Sequence, residues 1–230
     1  MLIYHCQLTL HDSLYYATRE VGRLYETGRC LHNYALTYAL GLAAAPYFHP
    51  QQVPHYQEDL EPLNARGIYV TPALGVEIEY VLNTFKYASN LYHVEMEKGS
   101  RNTPSFGRAK EIAVGSVFEF AVLSGEEHLQ LPRWVRLGLW RSKAALTWQE
   151  TEIASPKSGV FTAKLPLNPL DVSLRFLVFD LVSMPPVSLL LNTQMQGEYY
   201  EVADDLRIPA GMQYRFPEDR PQRSRRATKG

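Results

Sequence analysis

The sequence lacks the features that mark several large classes of protein. It has two cysteines, Cys6 and Cys30, and each lies in an apolar periodic segment, so we expect two buried thiols rather than a disulfide. No Cys-x-x-Cys pair or Cys/His ligand spacing occurs, which argues against a structural zinc site. No apolar run approaches the roughly 20 residues of a membrane helix. The opening segment MLIYHCQLTLHD also lacks the charged leader and apolar run of a signal peptide. We therefore expect a cytoplasmic protein.

The motifs of common enzyme classes are also missing. There is no Walker phosphate loop, no GxSxG elbow, no HExxH motif and no GxGxxG opening a helix. On paper, His11, Asp12 and Tyr15 supply the acid and base groups of a metal-independent ribonuclease. A His-Asp pair at a strand end is also typical of a turn that hydrogen-bonds its own backbone. The sequence favours a non-catalytic protein and leaves the ribonuclease as an alternative.

Charge is balanced overall but unevenly distributed along the chain. The formal net charge is −1, yet residues 100–164 hold 9 Lys+Arg against 6 Asp+Glu, and residues 217–230 hold 5 against 2. A local basic region on a near-neutral chain suits a polyanionic partner bound to one face, although ordinary scatter of charge is the alternative. Residues 217–230 also lack an apolar anchor, so we predict a basic disordered tail there.

Hydrophobic periodicity predicts a strand-dominated α+β fold. Leu2–Leu10 alternates as a half-buried strand does, and Leu31–Leu42 has the three-and-four spacing of a helical face. Gly67–Glu97 is interpreted as a long projecting hairpin, and residues 99–110 as a loop. A strand followed by a helix and later antiparallel strands is compatible with a ferredoxin-like sheet carrying insertions.

The segment PRWVRLGLWRSKAAL, residues 132–146, carries the clearest binding pattern. Read as a strand, it has an apolar core face formed by Val135, Leu137 and Leu139. Its other face alternates aromatic, cationic, small and aromatic residues: Trp134, Arg136, Gly138 and Trp140. Single-stranded nucleic acid binds to such groups, because rings stack on bases and guanidinium groups bind phosphates. In the alternative interpretation the tryptophans are buried and the arginine pairs with Glu119, Glu150 or Glu152.

Five ordered blocks of the sequence resemble one protein family. They are YHCQLTLHDSLYYATREVGRLY, RNTPSFGRAKEI, WVRLGLWRSKA, SMPPVSLL and IPAGMQYRF. Together they resemble the Csc-one family, the Cas-five-type RAMP subunits of type I-D CRISPR Cascade. The resemblance implies that residues 1–216 form a RAMP domain of ferredoxin-like, RRM-like fold. It also implies a β-hairpin thumb inserted near residues 67–97 and an additional antiparallel β region.

The resemblance further implies a role in antiviral defence. Such proteins are structural subunits of a ribonucleoprotein complex and bind the 5′ handle of the guide RNA, or crRNA. The implied partners are the backbone (Cas-seven-type) subunit, the large (Cas-ten-type) subunit and target double-stranded DNA near the PAM. Guide processing belongs to another subunit, so the implied role is non-catalytic. An endoribonuclease acting on CRISPR repeat RNA is the alternative.

The pattern and the resemblance together give a set of candidate RNA-binding residues. Phosphate and handle contacts are expected from Arg101, Arg108, Lys110, Arg136, Arg141 and Lys143. Stacking on bases is expected from Phe106, Trp134 and Trp140. The N-terminal block adds His11 and Arg19. No catalytic residue, metal ligand or cofactor is expected.

Overall fold

The structure of the chain is a computed structural model, and it describes residues 1–47, 54–88, 96–97, 103–203 and 205–216. This part of the chain is mostly β-strand. Its helices are short: α1 (Asn33–Ala39), α2 (Tyr56–Leu60) and α3 (Pro62–Ala65). Its strands are, in chain order, β1 (Leu2–Leu10), β2 (Arg19–Val21), β3 (Leu24–Glu26), β4 (Cys30–Leu31), β5 (Tyr69–Val70), β6 (Ala73–Glu77), β7 (Tyr80–Lys86), β8 (Phe106–Ile112), β9 (Val117–Ser124), β10 (Trp134–Leu137), β11 (Ser142–Glu152), β12 (Lys157–Ala163), β13 (Arg175–Val182), β14 (Leu189–Ala203) and β15 (Leu206–Pro209).

The central sheet has seven strands and antiparallel pairing. Its order is β10-β11-β1-β9-β6-β4, and β5 also pairs with β9. Strand β1 lies inside this sheet because every second residue is apolar and buried, as at Tyr4, Leu8 and Leu10. These side chains share one core with helix α1. The predicted strand at Leu2–Leu10 is therefore confirmed.

A second antiparallel sheet is formed by β12, β14, β13 and β15. It packs on the other face of the central sheet, where Phe161 and Met195 share a core with Ile3 and Leu123. This sheet is an antiparallel β region beyond the central one, as the resemblance implies. Within the described residues β13 pairs with β14 alone, and it exposes large apolar side chains. They are Leu177, Val178, Phe179 and Leu181.

The third sheet has the order β2-β3-β8-β7. Strand β8 pairs in parallel with β3 and antiparallel with β7. The predicted loop at residues 99–110 is wrong in its C-terminal half, because Phe106–Lys110 belong to β8. One inward residue of this stretch is Gly107, and the Phe85 ring packs against it. Because glycine has no apolar side chain, it does not contribute to the alternating hydrophobic pattern that predicts a strand. The observed pairing of β7 with β8 also differs from a hairpin contained within Gly67–Glu97.

The described chain is thus mostly β, and its strands pair antiparallel except for β3 with β8. The helix predicted over Leu31–Leu42 is present but spans seven residues, and the chain forms two further short helices, α2 and α3. The tail predicted at residues 217–230 lies outside the described residues. In the described ranges, no helix is both long and apolar enough to cross a membrane.

Candidate nucleic-acid interface

Residues 134–145 form a β-hairpin at the edge of the central sheet, which we name the tryptophan hairpin. Strands β10 and β11 pair with Arg136 opposite Lys143. Val135 and Leu137 point into the core, as predicted, and are 3% and 5% exposed. The core position predicted for Leu139 is wrong, because β10 ends at Leu137 and the chain turns. Leu139 is consequently 64% exposed.

The turn of the tryptophan hairpin is set by the close approach of residues 14–16. Gly138 has a φ of 78°, and a Cβ placed there would lie 2.6 Å from a methyl carbon of Leu14. Its amide donates to the Tyr16 hydroxyl at 2.9 Å, and the Leu139 amide donates to the Tyr15 carbonyl at 3.0 Å. Glycine is required here because a side chain meets both a steric block and an unfavourable φ. The alternating pattern of the sequence does not reveal this turn.

Trp134 lies on the outer face of the hairpin between two cations. Its side chain is 53% exposed, so it is not buried beneath another element of the described chain. The Lys143 Nζ lies 5.5 Å from the ring centroid, and the Arg136 Cζ lies 5.9 Å from it. Cations within about 6 Å of an indole face are attracted to it. This places a flat apolar surface beside two cationic groups.

Trp140 lies in the turn and packs on Tyr15. The two ring centroids are 4.9 Å apart with an interplanar angle of 33°, and Trp140 remains 54% exposed. Burial raises the pKa of Tyr15, and the negative charge of Glu111 raises it further. Tyr15 therefore holds one face of the Trp140 indole and leaves much of the ring accessible for stacking.

The cations of the tryptophan hairpin have no acidic partner among the described residues. No described carboxylate lies within 4.0 Å of the charged groups of Arg136, Arg141 or Lys143. Arg136 instead donates to the Arg141 carbonyl at 3.0 Å. Glu119, one of the carboxylates considered as its partner, lies 3.9 Å from His5. Unpaired, exposed cations remain available to an incoming phosphate.

The sheet face beside Trp134 carries mostly short or polar side chains. Directly paired residues of antiparallel strands lie on the same face. Accordingly Trp134, Ala145, Thr9 and Val117 form one row across four strands. The next row is Thr147, Gln7 and Glu119. Because these side chains are short or polar, the indole of Trp134 has open sheet surface next to it.

His11 and Asp12 join this edge of the sheet through the backbone of Lys143. The His11 amide donates to the Lys143 carbonyl at 2.8 Å. The Asp12 carboxylate accepts from the Lys143 amide at 2.9 Å. Asp12 is thus a turn residue that hydrogen-bonds the backbone. The exposed His11 residue directly follows β1, and its backbone contacts that of Lys143.

The remaining described candidates lie on the third sheet. Phe106, Arg108 and Lys110 alternate along β8 and therefore share one face. Phe106 is 38% exposed, and the Lys110 Nζ lies 4.2 Å from the ring centroid of Tyr80. The Arg19 Nε lies 3.8 Å from a carboxylate oxygen of Glu26. Arg101 lies outside the described residues.

The predicted residues therefore form two groups on different sheets. The hairpin group contains His11, Trp134, Arg136, Trp140, Arg141 and Lys143. The third-sheet group contains Arg19, Phe106, Arg108 and Lys110. Sequence reasoning missed Tyr15 as the ring beneath Trp140, and no local pattern at position 15 could have revealed a contact with a residue 125 positions away. It also missed Tyr80, which lies within the segment interpreted only as a projecting hairpin.

No metal centre is evident in the part of the chain that the structure describes. There, no group of three or more His, Cys, Asp or Glu side chains is placed to hold a metal ion. Both cysteines are buried and free, in agreement with the expected thiols. Burial raises the pKa of the Cys30 thiol to about 11, so it stays protonated at neutral pH.

Comparison with known proteins identifies the family. No curated protein matches the chain. A solved structure described as the cryo-EM structure of the type III-B Cmr-beta bound to cognate target RNA and AMPPnP, state 1, contains a similar chain. The two chains have 9% sequence identity and a TM-score of 0.46, over 84% of this chain and 86% of that one. The family model for the type I-D CRISPR-associated protein Cas5/Csc1 matches residues 1–217 of the 230. The chain therefore belongs to the type I-D CRISPR-associated Cas5/Csc1 family.

Proposed function

We propose that this chain is a structural subunit of a type I-D CRISPR effector and binds the 5′ handle of the crRNA on its tryptophan hairpin. The observation that carries this proposal is the half-exposed Trp134 beside Arg136 and Lys143, two cations without an acidic partner among the described residues. Membership of the Cas5/Csc1 family supplies the CRISPR context.

The hairpin offers two kinds of contact to a single RNA strand. A base stacked on Trp134 or Trp140 is worth roughly 1–3 kcal/mol. Arg136, Arg141 and Lys143 bind the phosphates on either side, and this contribution weakens as salt rises. His11 lies at the same edge and adds a further donor. Neighbouring aromatic and cationic groups thus match the alternating bases and phosphates of the strand.

The fold details implied by the resemblance belong to the same proposal. We take the central sheet as the RRM-like, ferredoxin-like body of the RAMP domain, with the uncovered part of its outer face, beside Trp134, toward RNA. We take the β7–β8 pair as the counterpart of the thumb, because its strands form a separate sheet and expose Phe85 and Phe106. Phe106, Arg108 and Lys110 then extend the RNA contacts away from the hairpin.

The proposed protein partners are the Cas-seven-type backbone subunit and the Cas-ten-type large subunit, with target DNA near the PAM. Strand β13 supports a protein contact, because Val178 and Phe179 are 63% and 46% exposed within a run of apolar residues. Its charged residues, Arg175 and Asp180, cancel each other, so the strand does not suit a polyanion. An effector subunit of this kind would work in the cytoplasm.

The proposed role is non-catalytic. The Asp12 carboxylate is held by the Lys143 amide, and the Tyr15 ring packs on Trp140, so both groups already have structural contacts. The ribonuclease alternative has a direct test, which is incubation of the purified chain with CRISPR repeat RNA in EDTA. Discrete cleavage that disappears in His11→Ala would establish the alternative and overturn the non-catalytic role.

The RNA-binding role is tested with the double variant Arg136→Gln/Lys143→Gln. RNA that co-purifies with the chain is sequenced, and a labelled synthetic copy is used in fluorescence anisotropy. We expect the double variant to bind at least about tenfold more weakly at low salt, because two phosphate contacts are lost. The matched control Lys157→Gln/Lys164→Gln removes one lysine of β12 and one directly after it, and should bind normally. Equal affinity of the two double variants would refute the proposed site.

A further inference from the structure

A concave site of about 400 Å³ lies between the third sheet and the chain segment at the end of β13. We name it the basic cleft. Its cationic wall comes from Arg19, Arg29 and Lys110. Its apolar wall comes from Tyr80, Leu181 and Met184. A volume of this size lies within the usual range for sites that hold one small organic molecule.

The cationic wall carries an excess of positive charge. Three cations face one carboxylate, Glu26, whose oxygens lie 3.8 Å from the Arg19 Nε and 3.9 Å from the Lys110 Nζ. Both separations exceed hydrogen-bonding distance, so the donors of these side chains remain free to turn toward a ligand. No described carboxylate lies within 4.0 Å of Arg29. The excess of two positive charges suits a phosphate group.

The apolar part of the lining suits a flat, mostly apolar group. Tyr80 is 42% exposed, and Leu181 is 63% exposed. The Lys110 Nζ lies 4.2 Å from the Tyr80 ring centroid, which joins the cationic wall to the aromatic one. Burial raises the pKa of Tyr80, and the positive charge of Arg29 acts against that rise. A ligand with a charged end and a flat apolar end therefore finds a complementary group for each.

We propose that the basic cleft binds one nucleotide, with its phosphate held by Arg19, Arg29 and Lys110 and its base packed between Tyr80 and Leu181. The nucleotide can belong to an RNA strand or be free in solution, and the chemistry of recognition is shared. The RNA form of this inference rests on the proposed function, whereas the free form does not. The cleft shares no residue with the tryptophan hairpin, so the two sites are separable by mutation.

Two variants of different chemistry test the cleft. Arg29→Gln removes one phosphate-binding charge from an exposed side chain. Ser183→Trp fills the opening of the cleft without changing charge, because Ser183 is an exposed residue of its rim. Arg66→Gln is the matched control, since it removes an exposed arginine that pairs with Glu126 away from both sites. Circular dichroism and thermal unfolding establish that each variant is folded.

Isothermal titration calorimetry is performed with UMP, a 5′-phosphorylated RNA dinucleotide and inorganic phosphate. We expect the UMP or dinucleotide affinity to fall at least tenfold in both cleft variants and to be unchanged in Arg66→Gln. Phosphate alone should bind more weakly than either nucleotide ligand, because it lacks a base. Binding of the dinucleotide but not UMP assigns the cleft to RNA, and comparable binding of both assigns it to nucleotides in general.

The inference is overturned if neither UMP nor the dinucleotide binds the wild-type chain at millimolar concentration. It is also overturned if both cleft variants keep wild-type affinity, or if phosphate binds as tightly as the tighter-binding of the two nucleotide ligands. The proposed function is judged separately with the longer RNA probe. If the hairpin variant loses affinity for the longer RNA but no nucleotide binds in the cleft, the cleft inference is refuted and the proposed function is not.

Discussion

At the scale of single residues, the backbone of Arg141 shows how the site departs from ordinary folding preferences. Arg141 follows the hairpin turn with a φ of 53°, in the left-handed region that a non-glycine residue rarely occupies. Its carbonyl accepts from the Arg136 guanidinium at 3.0 Å. The conformation of Arg141 therefore positions the Arg136 side chain, while the Arg141 side chain itself is exposed. A side chain kept in an unfavourable backbone conformation is consistent with a binding role.

Replacing Arg141 with glycine should separate stability from binding. Left-handed backbone costs a non-glycine residue roughly 1–2 kcal/mol, part of which is offset by the greater chain entropy of glycine when unfolded. We therefore expect Arg141→Gly to raise the free energy of unfolding by up to about 1 kcal/mol. RNA affinity should fall, because one phosphate contact is lost. Urea unfolding measures the free energy of unfolding, and fluorescence anisotropy measures RNA affinity. The control Arg141→Lys keeps the positive charge and the left-handed backbone of a non-glycine residue, so it should change both quantities less than Arg141→Gly.

A second prediction concerns the buried His32, which caps helix α1 by accepting from the Tyr34 amide at 3.3 Å. Burial lowers the pKa of His32 from 6.5 to about 4, although a hydrogen bond involving Val187 acts in the opposite direction. Between pH 6.5 and 4 the unfolded chain therefore binds a proton that the folded chain does not. Acidification from pH 7 to pH 5 should cost about 2 kcal/mol of stability through this residue.

Asp171 opposes this effect. Its carboxylate accepts from Tyr69, Asn33 and the Arg215 amide, but burial dominates and raises the pKa of Asp171 from 3.8 to about 6. The folded chain thus binds this proton more tightly, so stability through Asp171 falls as pH rises from about 4 to 6. His32→Asn, which keeps a capping oxygen, should leave a protein that loses less stability than wild type between pH 7 and pH 5. Parallel stability curves for the two proteins would contradict this assignment.

At the scale of elements, the tryptophan hairpin places an exposed candidate binding residue directly beside a buried core residue. Trp134 is half exposed on the outer face, and Val135 is buried beside helix α1. This alternation was readable from the sequence because β10 obeys the two-residue period. Its end was not readable, since the turn depends on the contact of Gly138 with Leu14, which is distant in sequence.

Neighbouring substitutions in β10 should consequently have different effects. Trp134→Ala should weaken RNA binding by roughly 1–3 kcal/mol, because stacking is lost, and change stability little. Val135→Ala should lower the free energy of unfolding by about 2 kcal/mol, because two buried methyl groups are removed and a cavity remains. RNA affinity of folded Val135→Ala should stay near wild type. Anisotropy and urea unfolding of both variants test the pair, and equal loss of affinity in the two would contradict it.

The other elements also divide into those that local sequence patterns predict and those that depend on contacts between distant residues. Strand β1 and helix α1 were predictable because each has a strong apolar period and a buried face. Strand β8 was not, because Gly107 and Ala109 occupy its inward positions and its parallel pairing with β3 joins residues more than 80 positions apart. The candidate residues on β8 were identified by type and by family resemblance, but their shared face became visible only with the strand.

At the scale of the whole molecule, we expect RNA binding to depend on where charge lies rather than on the net charge. The chain has a formal net charge of −1, so its overall field does not attract RNA. The tryptophan hairpin and the basic cleft nevertheless present groups of cations that lack sufficient acidic partners among the described residues. The charge counts indicated a basic region between residues 100 and 164, but cations from the N-terminal part, such as Arg19 and Arg29, join it only in the folded chain.

Deleting residues 217–230 tests whether specific binding resides in the folded body. The segment carries five Lys+Arg and two Asp+Glu, so the deletion changes the formal net charge from −1 to −4. The last described residues, Tyr214 and Phe216, belong to the core or pack against it, so the truncated chain should keep its stability.

The truncated chain should bind RNA more weakly at low salt and as tightly as the full chain at high salt. The reason is that each cation neutralising a phosphate of a single strand contributes about 0.7 to the dependence of log affinity on log salt, and this attraction is non-specific. Anisotropy titrations over a salt series measure the two slopes, and the full chain should have the steeper one. Arg136→Gln/Lys143→Gln, made in the truncated chain, should lower affinity at every salt concentration. If the deficit of the truncated chain instead persists at high salt, the segment makes specific contacts and the folded body is only part of the RNA site.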